Sequence, residues 1–360
     1  MTKRSQMTST KRRTLIKGAG AALVLPHIWV PKAGAASKRV IIRSPGGVYD
    51  EIRRRAIYEP FTKETGIEVI PVATTAAKLL AMLRSGHIEL DVIDITVPQL
   101  IHFERANALL PIPYDDFKYA DPDNIYPEYK RENMVGNFIY GVIMGYNTEA
   151  FKGNPAPANW AEFWDIERYP QHRMMSDMAA GAPDLEFALL ADGVPLNELY
   201  PLDIERAFAS LDRVRPAVRK FWDTGALSAQ MLIDREVDMG SIWSSRLLTV
   251  QDAGAPVEAN WNEHCVHVQS YAIMKDGPNV ENATLLVDYM LGEEAQDRYF
   301  KEYKAGPITK KAYENLSEEH RAVIPGGEKT EEMGFILDAE WWVDNRQKVS
   351  DMWSQWIMQG

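Results

Sequence analysis

Apolar and polar positions along this chain alternate between two periods. Arg39 to Ile42 reads as a β-branched strand and ends in Ser44-Pro45-Gly46-Gly47. A helical pattern follows from Val48 to Thr65, where Gly66 supplies the left-handed stop. Ile67 to Val72 is the next strand, Thr75 to Ser85 a helix stopped by Gly86, Leu90 to Ile95 a buried strand, and Thr96 to Ala108 a helix. Strand and helix in alternation predict a parallel, doubly wound sheet. After a polar loop from Tyr114 to Glu132, Asn137 to Asn147 reads as a long strand with internal glycines. Such a strand can carry the chain from one domain to another, and the crossing is expected near Met144 to Tyr146.

The pattern then restarts. A helix is expected over Asn159 to Asp165, a strand over Arg173 to Ser176 and a helix over Pro183 to Ala191. Phe208, Leu211, Val214, Val218 and Phe221 at three- and four-residue spacing predict one long amphipathic helix from Leu202 to Trp222. A helix over Ala226 to Asp234 precedes Glu236 to Arg246, EVDMGSIWSSR, a short strand that runs into a helix opening at Ser244. Val257 to Trp261 and His267 to Met274 read as separate strands, the second returning to the first domain. Asn279 to Tyr303 is helical with a break at Gly292, Gly306-Pro307 is a turn, and Asp338 to Met358 is a closing helix. Trp243 stands where the 239–243 strand stops. Ligands of open α/β sheets bind beyond the carboxyl ends of strands, so this ring is either a ligand platform or core filling. The Gly46-Gly47 turn is equally open between close backbone approach to a ligand and turn geometry alone.

Charge and composition change this picture in three places. The first 36 residues hold Arg12-Arg13 with Leu15, Ile16 and Lys17 behind them, a weakly apolar run from Ala19 to Val30, and Ala33-Gly34-Ala35. This segment looks like a twin-arginine export signal cleaved near Ala35, which places the mature protein in a bacterial periplasm. Its seven basic and no acidic residues take the formal charge from −11 to −18 when removed. An acidic chain of this kind lacks the basic stripe that nucleic acid requires and favours cationic ligands. The single Cys265 excludes an internal disulfide. His264-Cys265-x-His267 falls short of a metal site, because His264 and His267 do not share a strand face. Asp121-Pro-Asp123-Asn124 lacks the glycine and distal glutamate of a calcium loop. No HGGG, GxSxG, HExxH or P-loop pattern occurs, and no carboxylate pair is set apart by spacing. No catalytic residue, metal or cofactor is therefore expected, an exported enzyme on a small metabolite being the competing class.

Two α/β lobes, an export segment and aromatics at strand ends describe a hinged trap for a small molecule. Six stretches make the chain resemble a known family. They are PFTKETGIEV (Pro60 to Val69), LDVIDI (Leu90 to Ile95), NWAEFWDIERYP (Asn159 to Pro170), LEFALLADGV (Leu185 to Val194), EVDMGSIWSSR, and the Ser270 to Leu291 run. In this order and spacing the chain is similar to the extracellular solute-binding proteins of bacterial ABC importers, in the group that includes the spermidine/putrescine-binding proteins. The resemblance implies a type II-like periplasmic binding fold with the ligand cleft between two lobes. Residues 37–145 with 269–322 would form one lobe, and 146–268 with 323–360 the other. It also implies a monomer that hands its solute to a membrane permease.

Polyamine binders of that group hold methylene chains between aromatic rings and ammonium ends on carboxylates. By resemblance, Trp243 matches a cleft aromatic, Asp177 a cleft carboxylate and Thr96 a cleft hydroxyl, while Ser44, Gly46 and Gly47 occupy the first cleft-lining turn. Gln269 stands where the family has a second anchoring carboxylate, and His267 where it has an aromatic. These departures weaken a dication. Arg246, and Arg43 with it, lie beside the expected cleft, where a guanidinium opposes a dication and fits a carboxylate. The expected ligand is an amine-bearing solute, either a polyamine such as putrescine or spermidine, or a zwitterion such as an ω-amino acid or phosphonate. Arg246 is equally consistent with a helix-surface residue paired to a local acid.

Overall fold

Two parallel strand triplets flank a pair of long antiparallel strands, and this arrangement places every strand end discussed below. The structure, a computed structural model, describes residues 38–326 and 332–359. The expected export segment lies outside them. The first triplet is β2 (Glu68–Ala73), β1 (Arg39–Ser44) and β3 (Val92–Thr96), all parallel. The second is β7 (Met239–Trp243), β5 (Arg173–Ser176) and β6 (Val218–Trp222), also parallel. Between them run β4 (Val135–Asn147) and β8 (Val257–Ile273), of 13 and 17 residues, antiparallel to each other. The strand order is β2-β1-β3-β8-β4-β7-β5-β6, with β9 (Gly306–Pro307) on β4 and β10 (Gly334–Ile336) on β8.

Helices fill the crossovers. Between β1 and β2 lie α1 (Val48–Arg53), a π-helical turn and α2 (Glu59–Thr65), closed by Gly66 at φ 72°. α3 (Ala76–Ser85) and α4 (Val97–Arg105) flank β3. The second half carries α5 (Trp160–Trp164), α6 (Leu185–Ala191), α7 (Ile204–Val214), α8 (Gly225–Ile233) and α9 (Ser244–Asp252). The chain then returns through α10 (Val280–Leu291), α11 (Glu293–Phe300), α12 (Lys310–Glu314) and α13 (Glu318–Ala322), and ends in α14 (Ala339–Met358).

The apolar cores divide at the long strands. On β4, Val135, Phe138 and Ile139 pack with β1 and α10, whereas Val142 and Met144 pack with α5, α6 and α7. On β8 the exchange falls between Cys265 and Val266. Each half therefore buries its own apolar surface, although Lys38–Gly360 as a whole is one compact unit joined by an unbroken sheet. Helix α14 anchors on the second half through Trp342, Val349, Trp353 and Trp356, while Ala339 and Val343 in its first turns touch the core of the first half.

Three elements differ from the sequence pattern. The helix expected over Leu202 to Trp222 stops at Val214, a 3-10 turn spans Arg215–Ala217, and Val218–Trp222 is the edge strand β6. Pro216 lacks the amide a helix needs, so the helical hydrogen bonding stops there and the apolar spacing beyond it serves a strand. The two strands expected over Val257 to Met274 are one strand with a bulge. Opposite Val142 and Met144 the register jumps from Cys265 to Asn260, with Glu263 left-handed at φ 58°. Gly306-Pro307 pairs with Phe138 and Ile139 instead of forming a free turn.

Candidate functional site

Four strands end around one cavity of about 430 Å³ between the two halves. Thr96 ends β3, Ser176 ends β5, Trp222 ends β6 and Trp243 ends β7, and all four line it. The wall facing them comes from α4 (Pro98, Gln99, His102) and from Leu337 and Trp342 at the start of α14. Concave apolar surface with a few converging polar groups, at the carboxyl ends of strands, is the usual form of a small-molecule site.

The aromatic wall is built by close approach. Trp243 meets Trp222 edge-on at 5.4 Å and 87°, and Tyr140 at 6.5 Å and 77°. Tyr140 in turn stacks on His267 at 5.2 Å and 23°. The first residue of α8 must be glycine here, since a Cβ on Gly225 would lie 2.7 Å from the Trp243 ring. His267 is buried without a charge partner, and burial pushes its imidazole down to about 4, so it lines the cavity as a neutral ring.

The polar floor is acidic. Asp184 precedes α6 and is 5% exposed. It accepts from the Ser176 amide at 2.8 Å, the Ser176 hydroxyl at 2.7 Å and the Ser241 hydroxyl at 2.6 Å. Burial raises its pKa to about 6, and these hydrogen bonds hold it from rising further. Glu186, two residues on and also buried, accepts at Oε1 from Tyr200 at 2.6 Å and from the Trp342 indole at 2.7 Å. Burial raises this carboxyl too, and those two donors oppose the rise. Among the described residues no cation balances either group. The burial of Cys265 on the same lining pushes its thiol pKa well up, so the sulfur stays protonated.

Of the residues expected in the site, the cavity brings together Thr96 and Trp243. Thr96 makes no capping bond to α4, which leaves its hydroxyl for the cavity. Asp177 is elsewhere. It caps a 3-10 turn through the Ala179 amide at 2.8 Å, accepts from the Trp353 indole at 3.1 Å, and lines a separate surface depression with Arg215 and Arg219. Asp184, and not Asp177, is the aspartate in the cavity lining. Ser44 is fully buried and bonds Asp50, while Gly46 and Gly47 adopt φ of 85° and 65°, so the turn itself requires glycine. None of these three lines the cavity. Gln269 donates to Asp94 at 2.9 Å inside the first half. Arg43 is committed to the carbonyls of Thr74 and Asp94. Arg246 is exposed on the first turn of α9, where its charge reaches the Tyr303 phenol of the other half. No group of three or more His, Cys, Asp or Glu that could hold a metal occurs among the described residues. His264 sits in the β8 bulge, its Nδ1 2.7 Å from the Trp261 carbonyl oxygen.

Sequence reasoning passed over Asp184, Glu186, Tyr140, Trp222, Trp342 and Arg346. The aspartate and glutamate of Pro183-Asp184-Leu185-Glu186 gave no signal, because acids at a helix start are the ordinary N-terminal preference.

The family model for bacterial extracellular solute-binding proteins matches residues 56–323. A gamma-aminobutyric acid-binding protein of Pseudomonas aeruginosa is 27% identical over 337 residues, which cover 90% of this chain and 92% of that protein. A spermidine/putrescine-binding periplasmic protein of Escherichia coli is 26% identical over 250 residues, covering 65% of this chain and 68% of its own length. The solved structure of a GABA receptor superposes with a TM-score of 0.79 at 25% identity, covering 88% of this chain and 97% of that one. Such neighbours are two-lobe periplasmic binding proteins.

Proposed function

We propose that this chain, which belongs to the bacterial extracellular solute-binding proteins, captures a small aliphatic primary amine in the periplasm and delivers it to the permease of an ABC importer. The observation that carries this reading is the pair of buried carboxylates, Asp184 and Glu186, in the cavity lining, neither paired with a cation among the described residues. A buried carboxylate without a counter-ion is costly, and an ammonium group supplies both charge and donors. Trp243, backed by the buried Trp222, and Tyr140 would lie along the methylene chain, each contributing about 0.5–2 kcal/mol through cation–π and apolar contact. The Thr96 hydroxyl would give a neutral hydrogen bond. Gamma-aminobutyric acid and the polyamines, the ligands named for the similar proteins, share a terminal ammonium on an aliphatic chain. That common group is the one the acidic floor suits.

Binding would proceed by closure of the two halves about β4 and β8, the strands on which the apolar cores change over. Closure excludes water and so strengthens the ammonium–carboxylate contact. The chain would act as a monomeric carrier without catalytic activity.

A thermal-shift screen against diamines, polyamines, ω-amino acids and phosphonates tests the reading, because a ligand bound only by the native state raises Tm. Amine-bearing solutes are expected to stabilise the protein, and Trp243→Ala to lose the response. Stabilisation by anions alone would sink the amine reading, and an unchanged response in Trp243→Ala would remove that ring from the site.

A further inference from the structure

We propose that Arg346, on the C-terminal helix α14, is the specificity-determining residue of this cavity, holding the carboxylate of a zwitterionic amine. The inference rests on the amine reading above and goes on to assign the other end of the ligand. Arg346 lines the same cavity as Asp184 and Glu186. Its charged neighbours on α14 are engaged elsewhere. Glu340 pairs with Arg105 and Arg131, Asp344 with Arg105 at 2.6 Å, and Lys348 with Glu205 at 2.9 Å. No acid pairs with Arg346 among the described residues. Among the described residues it donates from Nη1 to the Gly181 carbonyl at 2.6 Å. That bond fixes the guanidinium against the loop leading into Asp184 and leaves its remaining N–H donors for a ligand.

The cavity lining therefore holds two buried carboxylates and a guanidinium that no acid neutralises among the described residues. A sphere of about 430 Å³ is about 9 Å across. An extended aliphatic chain advances about 1.2 Å per bond. An amine and a carboxylate separated by a few methylenes thus fit within the cavity, whose lining offers both the carboxylates and the guanidinium. Arginine presents a planar fork that matches a carboxylate in two parallel bonds. A diamine of the same length would bring its second ammonium against Arg346, a like-charge contact that selects against it.

A purely structural role for Arg346 would be to brace Gly181. Arg346→Gln separates the two, since glutamine keeps a donor for the carbonyl and removes the charge. Affinities of the full chain for ω-amino acids and for α,ω-diamines of matched length are measured calorimetrically at about pH 8, where the Asp184 carboxyl is ionised. Wild type is expected to prefer the ω-amino acid. Arg346→Gln should weaken it by about tenfold or more while leaving the diamine unchanged or tighter, and Arg346→Lys should restore part of the preference. An unchanged preference in Arg346→Gln, or a preference lost only in Arg246→Gln, overturns the assignment. Asp184→Asn is the separate control: loss of both ligand classes upholds the amine reading, whatever Arg346 does. Retention of both in Asp184→Asn sinks the amine reading independently.

Discussion

Lowering the pH should weaken amine binding, and the size of the effect follows from Asp184. Burial raises this carboxyl from its ordinary 3.8 to about 6. A raised acid pKa means that the folded protein binds protons more readily than the unfolded chain between those two values. The ionised group therefore costs the native state stability as pH rises through about 4 to 6, by about 3 kcal/mol once it is fully charged. An ammonium ligand offsets that cost by favouring the charged carboxylate, so binding expels the proton. If the bound carboxyl returns to its ordinary value, affinity at pH 5 is about tenfold lower than at pH 7.5. Glu186, also raised by burial, acts in the same direction. His267, held down to about 4, stays neutral through this window and contributes nothing. Titration calorimetry at a series of pH values gives the affinity. Repeating it near pH 6 in buffers of different ionisation enthalpy counts the protons released. The empty protein should show the opposite trend, with Tm rising as pH falls from about 7 toward 5, and Asp184→Asn should flatten that rise. Affinity independent of pH across this range, with no proton release, would refute the assignment of Asp184 to the ammonium.

Two further substitutions test how the site is built. Asp177→Ala removes the cap on Ala179 and the acceptor for the Trp353 indole, so stability measured by urea denaturation should fall by about 1–2 kcal/mol while ligand affinity stays constant; a loss of affinity would return Asp177 to the site. Gly240→Ala places a Cβ 2.3 Å from Met174 Cγ and 2.6 Å from the Met174 carbonyl oxygen. Strand β7 must then shift against β5, and since β7 ends in Trp243, stability by thermal denaturation should drop by about 1–3 kcal/mol with a parallel loss of ligand affinity. Unchanged stability would show that the β5–β7 pairing is looser than the geometry implies.

Much of the fold was legible because its signals are local. β1, β3 and β5 with their neighbouring helices follow from apolar runs, Gly66 and Gly86 close the helices before β2 and β3, and each feature acts within a few residues. Pro216 was equally local, but the apolar spacing on either side of it concealed the change of element. The bulge in β8 was not legible, because its cause is the register against β4, far away in sequence.

The site divides in the same way. The sequence by itself determined that Thr96 and Trp243 stand at strand ends, the usual place of a ligand crevice in an open α/β sheet. It also determined the acidic charge balance that suits a cationic solute. Which carboxylate lines the cavity was decided only by tertiary structure. Asp177 follows β5 directly, yet its oxygens are taken by Ala179 and by Trp353, which is 176 residues away. Asp184 is brought back beneath the same strand end, where Ser176 and Ser241, 8 and 57 residues distant, donate to it and burial strips it of water. Arg346 reaches the cavity because Trp342, Val349, Trp353 and Trp356 fix α14 against the second half. Burial and hydrogen-bond partnership are properties of the assembled chain, so they choose among acidic and basic residues that look alike in the sequence.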